Sequence, residues 1–146
     1  MALLRKYVFN QSLIFSLCLS IMCASCGESN GRKAGWTKIN NGGDLDLFVD
    51  FSTLKIEGEA RTIWELRSYN NGHYSAVANM IYFSKIQKIT YYCSSMSFAD
   101  GDFTWYSETN GKGNIIKEVP ISSPTQVRIP EDSDLYMLYK YVCSLK

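Results

Sequence analysis

The placement of five cysteines constrains this chain more than any other feature. Cys18, Cys23 and Cys26 crowd into the first 26 residues, whereas Cys93 and Cys143 stand alone in the rest. Cys18 and Cys23 would leave with an apolar leader and Cys26 would be blocked by lipid, so the folded part is left with one pair. In an oxidising compartment such a pair reads as a structural disulfide. It closes a loop of about 50 residues, worth roughly 4 kcal/mol by chain entropy, a large share of a small domain's stability.

The leader is recognisable by its order of chemistry. Arg5 and Lys6 precede a weakly polar to apolar run from Leu13 to Cys23 that ends in small residues, which is the pattern of an export signal over residues 1–25. A membrane-spanning helix needs about 20 apolar residues, and this run falls well short. The sequence Cys23-Ala24-Ser25-Cys26-Gly27 resembles a bacterial lipobox, with Cys26 as the acylated mature N-terminus. Cys23 stands where that pattern carries Leu, Val or Ile, so a secreted or periplasmic product without lipid is the alternative. Acyl chains on Cys26 would hold the protein at a membrane, because two or more buried chains give stable anchoring. Residues 26–35 are small and polar and read as a tether. A single folded domain is expected over 36–146.

Composition removes several functions. The full chain carries a net charge of +1, and loss of Arg5 and Lys6 brings it to about −1, which leaves no basic footprint for nucleic acid. His73 is the one histidine. It follows Asn71-Gly72, where a solvated loop position is expected, so neither a hydrolase triad nor a zinc site can be assembled. Gly111-Lys112-Gly113 reads as a hairpin connection rather than a nucleotide loop, because no third glycine or βαβ unit follows. Asp44, Asp46 and Asp50 share strand parity with Phe48. An extended strand spaces such carboxylates roughly 7 Å apart, which suits a wet face better than calcium. No enzyme activity, cofactor or metal is expected.

Strand patterning dominates the folded part. Leu45, Leu47, Val49 and Phe51 alternate with polar positions. Ala60–Tyr69 reads as the next strand, and Asn71-Gly72 as a type I′ hairpin turn. Met80–Ser94, Phe103–Ser107 and Asn114–Val119 read as further strands. After Pro130-Glu131-Asp132-Ser133-Asp134 the period changes, and Leu135, Leu138, Tyr139 and Val142 recur at helical spacing beside Cys143. The disulfide would staple that terminal helix to the strand ending at Cys93. The twenty Phe, Trp and Tyr residues exceed what a small core can hide, so an aromatic recognition surface is expected, unless the helix or a second subunit covers it.

The order Trp36, Phe48-Val49-Asp50 with Ser52, Trp64, Tyr91-Tyr92-Cys93, Tyr106, Gly111-Lys112-Gly113, Pro130, Tyr136 and Cys143 resembles the surface-adhesin protein E family of Gram-negative lipoproteins. The resemblance implies an α+β fold, with about six antiparallel strands carrying a C-terminal helix. It implies an outer-membrane lipoprotein, a homodimer, and adhesion to host extracellular-matrix or serum proteins such as vitronectin and laminin. A ligand patch that follows the first long strand and its turn would be marked by Phe48, Asp50 and Ser52. Two other roles stay open from the residues: a periplasmic inhibitor of lysozyme or another hydrolase, and an inward-facing structural lipoprotein.

Overall fold

The computed structural model describes residues 35–40, 42–76 and 78–146. The leader, Cys26 and all of the tether but Gly35 lie outside the described residues. Seven strands and one α-helix follow: β1 (Trp36–Lys38), β2 (Leu45–Glu57), β3 (Ala60–Ser75), β4 (Met80–Tyr92), β5 (Ser97–Tyr106), β6 (Ile115–Val119), β7 (Gln126–Arg128) and α1 (Asp134–Ser144). β1 to β6 form an antiparallel meander in sequence order, and β7 returns to β5. β6 takes the Phe103–Tyr106 half of the β5 edge, and β7 takes the Ser97–Ala99 half.

The helix forms where its cap chemistry stands. Ser133 is the N-cap and accepts from the Tyr136 amide through its side chain, satisfying one of the orphan donors of the first turn. Leu138 and Val142 are fully buried against Leu47, Val49, Ile63, Ile89, Tyr91 and Ile129, with Leu135, Tyr139 and Cys143 at the margin. This is the expected stripe on the expected sheet. Cys93, one residue past β4, is bonded to Cys143 with a Cα–Cα distance of 5.6 Å. The Tyr139 hydroxyl donates to the Cys93 carbonyl at 2.6 Å, so the helix is joined to the end of β4 twice.

Three expectations are corrected. Asn71-Gly72 is not a hairpin turn, because β3 runs through it to Ser75 and the chain reverses at 76–79. A type I′ turn needs positive φ at both central residues, and only Gly72, at +72°, has it. Gly72 instead sits in a bulge where the β3–β4 register slips between Ser68 and His73. A side chain there would meet Ile81 Cγ2 at 2.9 Å. β5 begins at Ser97 rather than Phe103, since the β4–β5 reversal is made near Met96 at φ +47°. Strand β7 has no counterpart in the sequence reading.

The third correction concerns the wet face of β2. Asp46 pairs with Lys38 at 2.7 Å and Asp44 accepts from Asn71 at 3.0 Å, but Asp50 is only 4% exposed. β1 covers one side of it and β3 the other, through the register Trp36↔Asp50↔Trp64.

Candidate functional site: the open sheet face

The helix occupies one face of the sheet; the other carries two cross-strand rows. One runs Trp36, Asp50, Trp64, Lys88, and the next runs Lys38, Phe48, Leu66, Ile86, Thr104. Directly opposed residues share a face, and neighbouring strands lie about 4.8 Å apart. Trp36 and Trp64 therefore stand on the strands either side of Asp50, their backbones about 10 Å apart.

A short 3-10 turn, Thr109–Gly111, closes one end of this face. The Asn110 and Gly111 amides donate to the Ser68 and Ser84 hydroxyls at 3.0 and 2.9 Å. Gly111, at φ +69°, approaches so closely that a Cβ would stand 2.9 Å from Ile86 Cδ1. Leu66 is thereby buried. Away from the turn, Trp36, Phe48 and Trp64 stay half-buried, and the Lys38 ammonium lies 6.0 Å from the centre of the Phe48 ring. Lys88 pairs with Asp102 at 3.5 Å. The Asp102 carboxyl lies below its usual range, first because the Ile121 amide donates to it and then because of Lys88.

The three residues of the expected patch divide. Phe48 lies on the open face. Asp50 is turned to local work: its Oδ1 accepts from the Ser52 amide at 3.0 Å and the Ser52 hydroxyl at 2.6 Å. Thr53 continues the device, donating to the Asp50 carbonyl at 2.7 Å and accepting from the Trp64 amide at 3.0 Å. Together they close the bulge where β2 and β3 slip between Asp50 and Lys55. Trp36, Trp64 and Lys38 complete the row and were not assigned to a site from sequence. Parity within a strand is local, but register and bulges set which residues of two strands stand opposite one another.

The helix-side face holds a second polar group, at the core's edge. Glu65 is fully buried, with Arg67 Nε at 3.0 Å and Nη2 at 2.9 Å from Oε1. Gln87 also donates to Oε1, and the Tyr91 hydroxyl reaches Oε2 at 3.4 Å. Burial, then the Glu65 charge, holds the Tyr91 phenol well above its usual range. Lys85 is lowered by burial, partly offset by Asp100, and its ammonium sits 4.4 Å from the centre of the Phe103 ring. His73 is in β3 rather than in a loop, stacked on Tyr69 at 4.6 Å and against Tyr82 at 5.3 Å. Among the described residues no three His, Cys, Asp or Glu side chains converge on a metal position.

The meander, the capped terminal helix and the disulfide agree with a profile match. The surface-adhesin protein E profile matches residues 36–144, three quarters of the chain. The chain belongs to the surface-adhesin protein E family. Solved structures of Haemophilus influenzae protein E share the fold at 13% identity. Crystal form II covers 75% of this chain and 87% of that one at a TM-score of 0.54. Another structure of the same protein covers 75% and 84% at 0.51. Protein E from the non-typeable organism covers 75% and 76% at 0.51. No curated protein sequence matches. For this member of the surface-adhesin protein E family, membership indicates an exported, adhesin-like protein of the cell surface rather than a class of catalysed reaction.

Proposed function

We propose that the chain is a cell-envelope lipoprotein, acylated at Cys26 after removal of residues 1–25. Its open sheet face binds protein, with host matrix or serum proteins as the partner class. The observation that carries the reading is the row Trp36, Asp50, Trp64 on the face away from the helix. Large aromatic side chains bury much area at little entropic cost and recur at binding hot spots. Asp50, Ser52 and Thr53 act as positioning residues, because the bulge they close fixes where Trp64 stands. Phe48 extends the contact and Lys38 and Asp46 form its polar rim.

The test is solid-phase binding of the mature protein to immobilised vitronectin and laminin. Trp64→Ala and Trp36→Ala are each expected to lower affinity at least tenfold while the melting temperature moves by only a few degrees. Mass spectrometry of the same preparation should find diacylated Cys26 at the N-terminus. Unaltered binding in both variants would sink the assignment of the face, and an N-terminus without lipid would sink the anchor. Sedimentation of wild type and Trp64→Ala tells a second copy apart from a heterologous partner. The same face would serve a homodimer.

A further inference from the structure

The β3–β4 hairpin runs past its neighbours. β2 begins at Leu45, opposite Tyr69, and β5 ends at Tyr106, opposite Ser84. The pairs His73↔Tyr82, Tyr74↔Ile81 and Ser75↔Met80 therefore form a two-stranded ribbon with no strand on either side. Three residue pairs carry it about 10 Å beyond the sheet. An isolated ribbon is marginal in water, and here a ladder of rings secures it. His73 stacks on Tyr69 and against Tyr82, and Tyr82 stacks on Trp105 at 4.9 Å.

The outer side of the ribbon has unusual chemistry for a projecting loop. From Ser68 to Ser84 the sequence has no Asp, Glu, Lys or Arg over seventeen residues, and its reversal reads Ala76-Val77-Ala78. Exposed loop tips ordinarily carry polar turn residues. Tyr74 and Ile81, a cross-strand pair, are 57% and 59% exposed, the two most exposed large apolar side chains among the described residues. Beside the tip, the Tyr74 hydroxyl donates to Asn79 Oδ1 at 2.8 Å and the Ala78 amide to Ser75 Oγ at 3.3 Å.

We infer that this ribbon inserts its tip into the headgroup–acyl boundary of a lipid bilayer, with Tyr74, Met80 and Ile81 as the embedded side chains. A bilayer penalises charge at depth and unpaired backbone; the tip has no Asp, Glu, Lys or Arg to submerge, its strands satisfy each other's inward-facing backbone groups, and at the headgroup level water reaches the outward-facing ones. Tyrosine with aliphatic neighbours is the composition that settles at this boundary. Protein hot spots favour arginine beside their aromatics, and the tip has none. Asp44, Glu108 and Lys112, in the loops at the same end of the sheet, would stop entry near the headgroups. The inference goes beyond the binding face proposed above and uses different residues.

Ile81→Trp and, as a second probe, Tyr74→Trp place a reporter at the tip of the full chain. Ile56→Trp places one on an exposed residue beside the β2–β3 turn at the opposite end. Each is mixed with phosphatidylcholine vesicles with and without brominated acyl chains. The added emission at 81 and 74 should fall at least twofold with bromine, unchanged by 1 M salt, while that at 56 should not change. An N-terminal anchor would hold all three variants at the surface alike, so the contrast reads the tip alone. Equal responses at both ends, no response at the tip, or quenching abolished by salt would each overturn the inference. A tip that ignores lipid but shifts its emission with vitronectin would assign it to protein contact and likewise overturn it.

Discussion

At the scale of single residues, Glu65 carries the most risk. A carboxylate with no solvent exposure is tolerated only when paired, and Arg67 supplies two of its contacts. Burial works against the Arg67 charge, yet Glu65 together with Tyr69 and Tyr91 outweighs it and holds the guanidinium above its ordinary range. Arg67→Met should therefore cost about 3 kcal/mol in urea denaturation, since an unpaired charge stays behind. Replacing Glu65→Leu as well should restore part of that loss. A fall below 1 kcal/mol for the single variant would show the pair to be solvated. Strand alternation sets Ile63 and Glu65 on one face of β3 and Trp64 and Leu66 on the other. It could not say that both faces are covered there, because covering is done by α1 and by the Thr109–Gly111 turn, both distant in sequence.

At the scale of elements, the disulfide and the helix act as one unit. Cys143 lies in the last turn of α1 and Cys93 just past β4, so the bond restrains the helix against the strand whose Ile89 and Tyr91 it covers. Cys93→Ser with Cys143→Ser should lower stability by roughly 4 kcal/mol. In hydrogen exchange, α1 should lose protection before the strands, because the bond is the helix's covalent tie to the sheet. Retained helix protection in the double variant would show packing alone to suffice. Ser133, the Leu138–Val142 stripe and Cys143 made this element readable, for each is a local signal of start, face or attachment. The Asn71-Gly72 pair was misleading for the opposite reason. A turn signal reports what two residues can do, and here cross-strand pairing beyond Ser68 and the aromatic ladder outweigh it.

At the scale of the whole molecule, buried phenols set the response to alkali. Tyr91 is raised by burial and by Glu65, and Tyr82 by burial and then by Tyr69. In the unfolded chain these tyrosines lose protons near their ordinary value of about 10, whereas the folded state keeps them protonated. The stability they give is complete below that value and is lost as pH rises above it. Lys85, lowered by burial, contributes the opposite slope as pH climbs toward 10.5, which softens the fall from the two phenols without cancelling it. Melting curves across this range should show the decline, and tyrosinate absorbance should gain its last increment only as the protein unfolds. A smooth titration of every tyrosine in the mature protein without unfolding would contradict the burial.

Sequence by itself determined what depends on neighbours along the chain: the alternation of β2, the capped helix, and the separation of Cys93 and Cys143 from the three N-terminal cysteines. Tertiary structure alone decided the strand register, because the slips after Asp50, Ser68 and Gln87 each move partners by whole residues. That register brings Trp36 and Trp64 to either side of Asp50 and leaves the β3–β4 ribbon standing clear of the sheet. Side-chain parity is a property of one strand, but juxtaposition depends on two strands and on the bulges between them.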